Sequence, residues 1–409
     1  MLLILLILFL VLIRRKFSAL SDFFIYLLLF SILSSYLVRD DIEIDTLGRF
    51  FNALFIFVIL GIIIFPFRKY SSIERINFPN HNKVRSLSRI LSLFSLTTFL
   101  VLIITSYYIL VNVDSINVFK YDDGGGDILA ALPINIRLFM FASLFYNLTY
   151  FHLILHFYFH LQCDKHRSRV NLILSMNLLL YGLTFFSRWT LTHYIIIYSA
   201  LLFLFRYKLS ILYIKQLKYI GSIFLGAVVL FFISVTNSRF SEAYVYLELM
   251  PDTSIVKDPV LYSLLDYFSQ WYHQGFYVLD RYQYITFNGQ SSLSQVLLFV
   301  NGLTPFTWSM EEFLLLKQKI LGSDLYDKFT GLVPNLVFDM GYIFTVIFAA
   351  VFNRLASYFA PKKGEIGLMS AFLMVLLIQL PMFAIFYSSL GVIVICFIFL
   401  ICIGIYLKF

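Results

Sequence analysis

Long apolar runs separated by short charged loops make up most of the chain. Runs of about 20 residues, the length of helix that crosses a ~30 Å hydrocarbon core, are predicted at 20–38, 50–67, 90–111, 138–160, 170–186, 189–205, 219–236, 332–352, 367–383 and 390–407. A shorter one lies at 1–13. Backbone groups in hydrocarbon need partners within their own segment, so such runs are helices. The predicted fold class is all-α, a polytopic transmembrane helix bundle of about 11 spans. The pattern lapses between the eighth and ninth spans, at 237–331, in the one extramembrane stretch long enough to fold. The chain divides accordingly into an N-terminal bundle (1–236), a large, partly helical outer loop (237–331) and the C-terminal spans (332–409).

Within that loop, residues 258–281 read DPVLYSLLDYFSQWYHQGFYVLDR. Asp258 followed by Pro259 is a helix start, an N-cap acceptor and then a residue of fixed φ. At helical spacing Leu261, Leu264, Leu265, Phe268, Trp271, Tyr272, Phe276 and Leu279 share one face. Asp266, Gln270, His273, Tyr277 and Asp280 share the other, with Gln274 and Arg281 beside them. A helix of this length spans roughly 35 Å. Two readings follow: a helix lying at a membrane interface with its polar face in water, or that face as one wall of an active site. A polar turn at 288–292 and a second helical stretch at 310–321 come next.

Composition supports the membrane reading. Of 409 residues 60% are hydrophobic and only 13% charged, about half the charged share of soluble domains. The formal charge of +8 resides in alternate loops. Arg14, Arg15 and Lys16, the 68–89 loop, Lys165, Arg167 and Arg169, the 206–218 loop, and Arg354, Lys362 and Lys363 alternate with loops rich in acids, Asp40, Asp41, Glu43 and Asp45, then Asp114, Asp122, Asp123 and Asp127. By the positive-inside rule the basic loops are cytoplasmic, which puts the N-terminus outside and the C-terminus inside. This distribution points away from nucleic acid. Cys163, Cys396 and Cys402 form no disulfide framework. The N-terminal run is not a signal peptide, because its charges follow the apolar stretch. Gly124-Gly125-Gly126 does not follow a strand and is no nucleotide loop.

Four arginines fall at the predicted outer interface: Arg137, Arg188, Arg239 and Arg281. A guanidinium stays charged and grips two phosphate oxygens at once; the plainer reading is that each snorkels or meets an acid. His273 has the ordinary pKa of a general base, and Asp266 and Asp280 are alternatives to it. Asp339 lies inside a predicted span, where an unpaired acid is costly, and is expected to meet an arginine of the outer set. His152, His156 and His160 recur every four residues but lack further ligands, so they read as a buried polar seam. No metal and no cofactor are predicted. The acids at 40–45 read as a solvated loop, or as a base or metal holder.

The layout resembles the O-antigen (oligosaccharide repeat-unit) polymerase family, the Wzy type. The similarity lies in the many spans with one large late outer loop, in the loop opening Asn237-Ser238-Arg239, in the aromatic helix at 267–279, and in Pro334-Asn335 running to Asp339-Met340-Gly341, where Met340 replaces the usual Phe. The resemblance implies a membrane glycosyltransferase polymerising undecaprenyl-diphosphate-linked oligosaccharide at the outer, periplasmic face of a bacterial inner membrane. It implies Arg239 and Arg281, with Arg188 and Arg137, on the diphosphate; a proton passing to His273, Asp280 or Asp266; and Tyr267, Trp271, Tyr272 and Tyr277 stacking on sugars. The implied partners are membrane lipids and a chain-length regulator. Rival readings are an O-antigen ligase, a lipid-phosphate-sugar glycosyltransferase using Asp40 or Asp41, and a flippase or transporter. The last leaves the large loop unexplained, and the chain shows no internal repeat.

Overall fold

A computed structural model of the chain describes residues 18–39, 47–112, 133–185, 187–211, 213–216, 250–283, 287–304, 307–322, 329–386 and 389–408, with single positions at 219, 226, 230 and 233. Its helices in order are α1 (Leu20–Val38), α2 (Leu47–Ile64), α3 (His81–Asn112), α4 (Ile136–Phe145), α5 (Thr149–Leu161), α6 (Lys165–Ser175), α7 (Asn177–Thr184), α8 (Arg188–Phe205), α9 (Pro259–Asp280), α10 (Gln290–Leu303), α11 (Met310–Leu321), α12 (Leu332–Tyr358), α13 (Leu368–Phe383) and α14 (Leu390–Lys408). Two short parallel strands, β1 (Arg75–Asn77) and β2 (Glu365–Gly367), pair in register. Seven helical stretches among the described residues are long and apolar enough to cross a membrane: Leu20–Val38, Leu47–Lys69, His81–Asn112, Arg137–Leu161, Thr190–Lys208, Leu332–Tyr358 and Leu390–Lys408. The chain is therefore a predominantly helical, multi-pass membrane protein in type. The expected spans at 1–13 and most of 219–236 lie outside the described residues. The expected span at 170–186 is two shorter helices, α6 and α7, joined at Met176.

The described residues fall into two compact units. The first comprises Met1–Ser71, Met250–Pro361 and Leu376–Phe399, the second Ser72–Leu249, Lys362–Val375 and Leu400–Phe409. The described part of the large loop is thus no separate body; it is built into the first unit with α1, α2 and α12.

Both units bury polar side chains alongside apolar ones while many apolar side chains face outward, as expected where lipid replaces water. Helix α3 buries Ser88, Ser95, Thr98 and Thr105 while Leu93, Leu96, Leu100 and Ile104 are exposed. One of these hydroxyls, Ser95, meets the histidines of α5. His152 is bonded by Ser95 Oγ at 2.8 Å and Asn171 Oδ1 at 2.7 Å, and His156 by Tyr213 Oη at 2.7 Å and the Ser168 carbonyl at 2.9 Å. These imidazoles are internal hydrogen-bonding posts.

Helix α12 is broken at Gly341, whose φ of 83° and ψ of 167° lie outside the helical region. An L-residue avoids that conformation. The break releases the Phe338 carbonyl from the helix ladder, and Phe287 N–H donates to it at 3.1 Å. Gly331, at the entry to α12, also has positive φ, 82°. A Cβ there would lie 3.1 Å from the Ala384 carbonyl oxygen and 3.2 Å from Trp271 Cβ. Substituting Gly341→Ala is expected to destabilise the protein by about 1–3 kcal/mol, read as a lower apparent melting temperature in detergent. An unchanged transition would mean that α12 runs unbroken.

Candidate functional site

Helix α9 forms where the sequence places it. Asp258 is its N-cap, its Oδ1 accepting from Leu261 N–H at 2.8 Å, and Pro259 is the first helical residue. Its surroundings differ from the expectation. The helix packs along α1 and against α2 and α12, and every residue from Trp271 to Phe276 is buried. Ser31 of α1 clamps it, donating to the Phe268 carbonyl and accepting from Trp271 Nε1. Leu261 and Leu264, assigned to the apolar floor, are exposed, whereas His273 and Gln274 of the polar side are buried. Period alone identified the two faces; it did not show that the polar one turns toward other helices.

That polar face is paired by arginines which the charge pattern did not single out. Asp266 lies 3.8 Å from the Arg39 guanidinium at the end of α1, and Gln270 Nε2 donates to it at 2.8 Å. Asp280 accepts from Arg49 Nε at 2.9 Å and from Asn52 Nδ2 at 2.8 Å, both on α2. Arg49 also stacks over the Tyr277 ring at 4.5 Å. His273 lies between these stations with Nδ1 3.4 Å from Ser35 Oγ, and its Nε2 has no partner among the described residues. Burial, with Arg39 nearby, holds its imidazole neutral, well below the usual histidine range. It is not presented to a substrate as a solvent-facing base.

Among the described residues Asp339 meets no arginine. Its carboxylate accepts from the backbone N–H groups of Ser291 at 3.1 Å and Ser292 at 2.7 Å. It therefore caps the first turn of α10 from another helix, satisfying donors that no residue of α10 can reach. Asn335, one turn earlier, accepts from Ser291 Oγ at 3.0 Å and Thr330 Oγ1 at 3.2 Å. Phe329 N–H donates to Gln270 Oε1 at 3.2 Å. A polar thread thus runs from Arg39 through Asp266, Gln270, the 329–330 backbone, Asn335 and Ser291 to Asp339. Beside it lies a cleft of about 260 Å³ whose lining includes Ser292, Gln295, Lys317, Thr330, Phe329 and Phe386.

Of the rings expected to stack on sugars, Trp271 and Tyr272 are buried, packed edge-on or tilted against Phe57 and, for Tyr272, Tyr36 and Phe276. Their faces are occupied within the protein. Tyr267, against Phe329 and Phe386, and Tyr277 are half-buried. The described arginines of the expected set are divided between the two units. Arg281 is exposed at the C-cap of α9, Arg137 is exposed in the first turn of α4 in the second unit, and Arg188 opens α8 there. Arg239 and the acids at 40–45 lie outside the described residues. Arg39 and Arg49 flank the predicted acidic loop, and the sequence signal that would have found them is their position at helix ends opposite α9.

No protein-family model matches the chain, and no curated protein or solved structure matches it either.

A histidine whose pKa is lowered by folding binds its proton more readily in the unfolded chain, so stability present above the unfolded value is lost as pH falls below about 6.5 toward the lowered one. The apparent melting temperature is expected to drop over that range in the wild type and to drop less in His273→Gln. Equal slopes for the two proteins would show that His273 is not buried as described.

Proposed function

We propose that the chain is a membrane glycosyltransferase that extends a glycan carried on a prenyl diphosphate. The observation that supports this reading best is the end of α9. There the Asp280 carboxylate is fixed by Arg49 and Asn52, the Arg281 guanidinium follows on the next residue, and the partly buried Tyr277 ring lies under Arg49. A carboxylate positioned beside cations suits transfer from a diphosphate. The acceptor hydroxyl attacks the anomeric carbon and its proton passes to Asp280. The anomeric C–O bond to phosphate breaks, and Arg281, with Arg239 of the same loop, takes up the charge on the departing lipid diphosphate. Asp280 fits the base better than His273, whose buried neutral ring acts within the protein, or Asp266, whose side chain is the less exposed of the two acids. Tyr277 and Tyr267 are the rings left to meet sugar faces.

On this reading α9 lies on the periplasmic side of a bacterial inner membrane, as the charge alternation implies, and the substrate is an undecaprenyl-diphosphate-linked repeat unit of O-antigen or capsule. A chain-length regulator would be its protein partner. The polymerase reading is preferred to the ligase, to the lipid-phosphate-sugar transferase and to the flippase because Asp280 and Arg281 sit together at the end of the large loop's own helix.

Purified protein in liposomes, given lipid-linked repeat unit, is expected to form a ladder of longer glycans on a gel. Asp280→Asn and Arg281→Ala should each lower the rate by ~10²–10³-fold, the loss typical when a transition-state charge partner is removed, while single-repeat lipid persists. Normal ladders in both variants would remove the proposed roles, and transport of the lipid without bond formation would remove the enzyme reading.

A further inference from the structure

The second unit holds a cavity of about 610 Å³ that plays no part in the chemistry above. It is lined by residues from four separate segments: Glu74 and Arg75 at β1, the 160–165 turn, Lys208 and Ser210 after α8, and Lys363 and Glu365 at β2. Its four permanent cations are Arg75, Lys165, Lys208 and Lys363. Both acids are already engaged, Glu74 by Lys208 at 3.3 Å and Glu365 by Asn77 Nδ2 at 2.8 Å. Arg75, Lys165 and Lys363 have no acidic partner among the described residues.

The backbone holds two of these lining residues in an unfavourable state. Cys163 (φ 59°) and Lys363 (φ 52°) are two of the three non-glycine residues with positive φ among those described. Lys363 is the first central residue of a two-residue turn closed by mutual Lys362 and Glu365 backbone bonds, a position that favours Asn or Gly. A cation there is conformationally costly, which argues for a charge needed at that place. Charge for topology alone requires neither concavity nor strain.

We propose that this cavity is a binding site for a phosphate-bearing ligand. The shared chemistry is a phosphoryl group held by Arg75, Lys165 and Lys363, with the Ser210 hydroxyl and the Gln162 amide as further polar groups in the lining. The group belongs either to an anionic phospholipid headgroup, of the kind that basic pockets beside membrane helices hold, or to a soluble phosphate ester. The site is independent of the glycosyltransferase reading and stands if that reading fails.

Cys163 lines the cavity and is exposed, Cys396 is buried, and Cys402 is exposed elsewhere. The full chain carrying Cys402→Ala, in nanodiscs, therefore reports occupancy through the rate at which a maleimide labels Cys163. Two arms separate the sources: phosphatidylglycerol in place of part of the phosphatidylcholine, and inorganic pyrophosphate added to pure phosphatidylcholine discs. One arm is expected to slow labelling. Arg75→Gln with Lys363→Gln should weaken that protection by about fivefold per cation removed. Lys83→Gln with Arg89→Gln, an equal charge loss outside the cavity, should leave it intact. Protection by lipid identifies a headgroup site, and protection by pyrophosphate a soluble ligand. No protection in either arm, or equal loss in both double variants, would overturn the proposal. Should the cavity variant fail to fold, protection of the unaltered cavity decides alone.

Discussion

A helix that breaks inside an apolar bundle frees backbone donors and acceptors with no water to receive them, and each must find a partner in the chain. The first unit is organised by that requirement. The break at Gly341 leaves the Phe338 carbonyl to Phe287, and Asp339 takes the first-turn N–H groups of α10. The chain entering α12 meets the end of α13 in the same way, with Gly331 N–H donating to the Phe386 carbonyl at 3.2 Å and Leu332 N–H to that of Ala384 at 2.8 Å. These bonds fasten the segments flanking α9 to the spans. They explain why residues that read as an outer loop behave as part of a bundle.

The same constraint accounts for the charges. Drawing Asp266 partly out of water is tolerable only with partners in place, and Arg39 and Gln270 supply them, as Arg49 and Asn52 do for the more exposed Asp280. Both pairs keep some solvent contact, so each contributes modestly to stability. Their larger consequence is placement. They hold a carboxylate, an imidazole and a phenol in fixed order along α9, and positioned groups are what transfer chemistry needs. Asp280, the more exposed acid at the helix end, combines fixed geometry with access.

Much of this architecture was legible in the residues. The limits of α1 follow from its apolar run, and those of α9 from Asp258-Pro259 at one end and the loss of helical period at the other. The buried pair His152 and His156 of α5 follows from the four-residue spacing, whereas His160, expected in the same seam, is half-buried and lines the cavity of the second unit. The interior of the site was not legible, for a definite reason. Hydrophobic periodicity marks the buried face of a helix in water, but beside lipid apolar side chains also face outward and polar ones gather inside. Leu261 and His273 therefore exchange the burial that the pattern suggests. Asp339 reads as an ion-pair partner because capping across helices depends on a backbone break that only Gly341 hints at. Arg39 and Arg49 are lost among neighbouring acids, and their partners lie more than 200 positions away in sequence.

The central claim is that α9 is clamped into the bundle against α1 and does not lie loose at the membrane surface. Oxidative cross-linking in native membranes tests it most directly, using a chain stripped of its own cysteines and carrying Ser35→Cys with His273→Cys. The account predicts an efficient intramolecular disulfide, since the two side chains touch at 3.4 Å. Two thiols that stay free while both react with a water-soluble maleimide would contradict it.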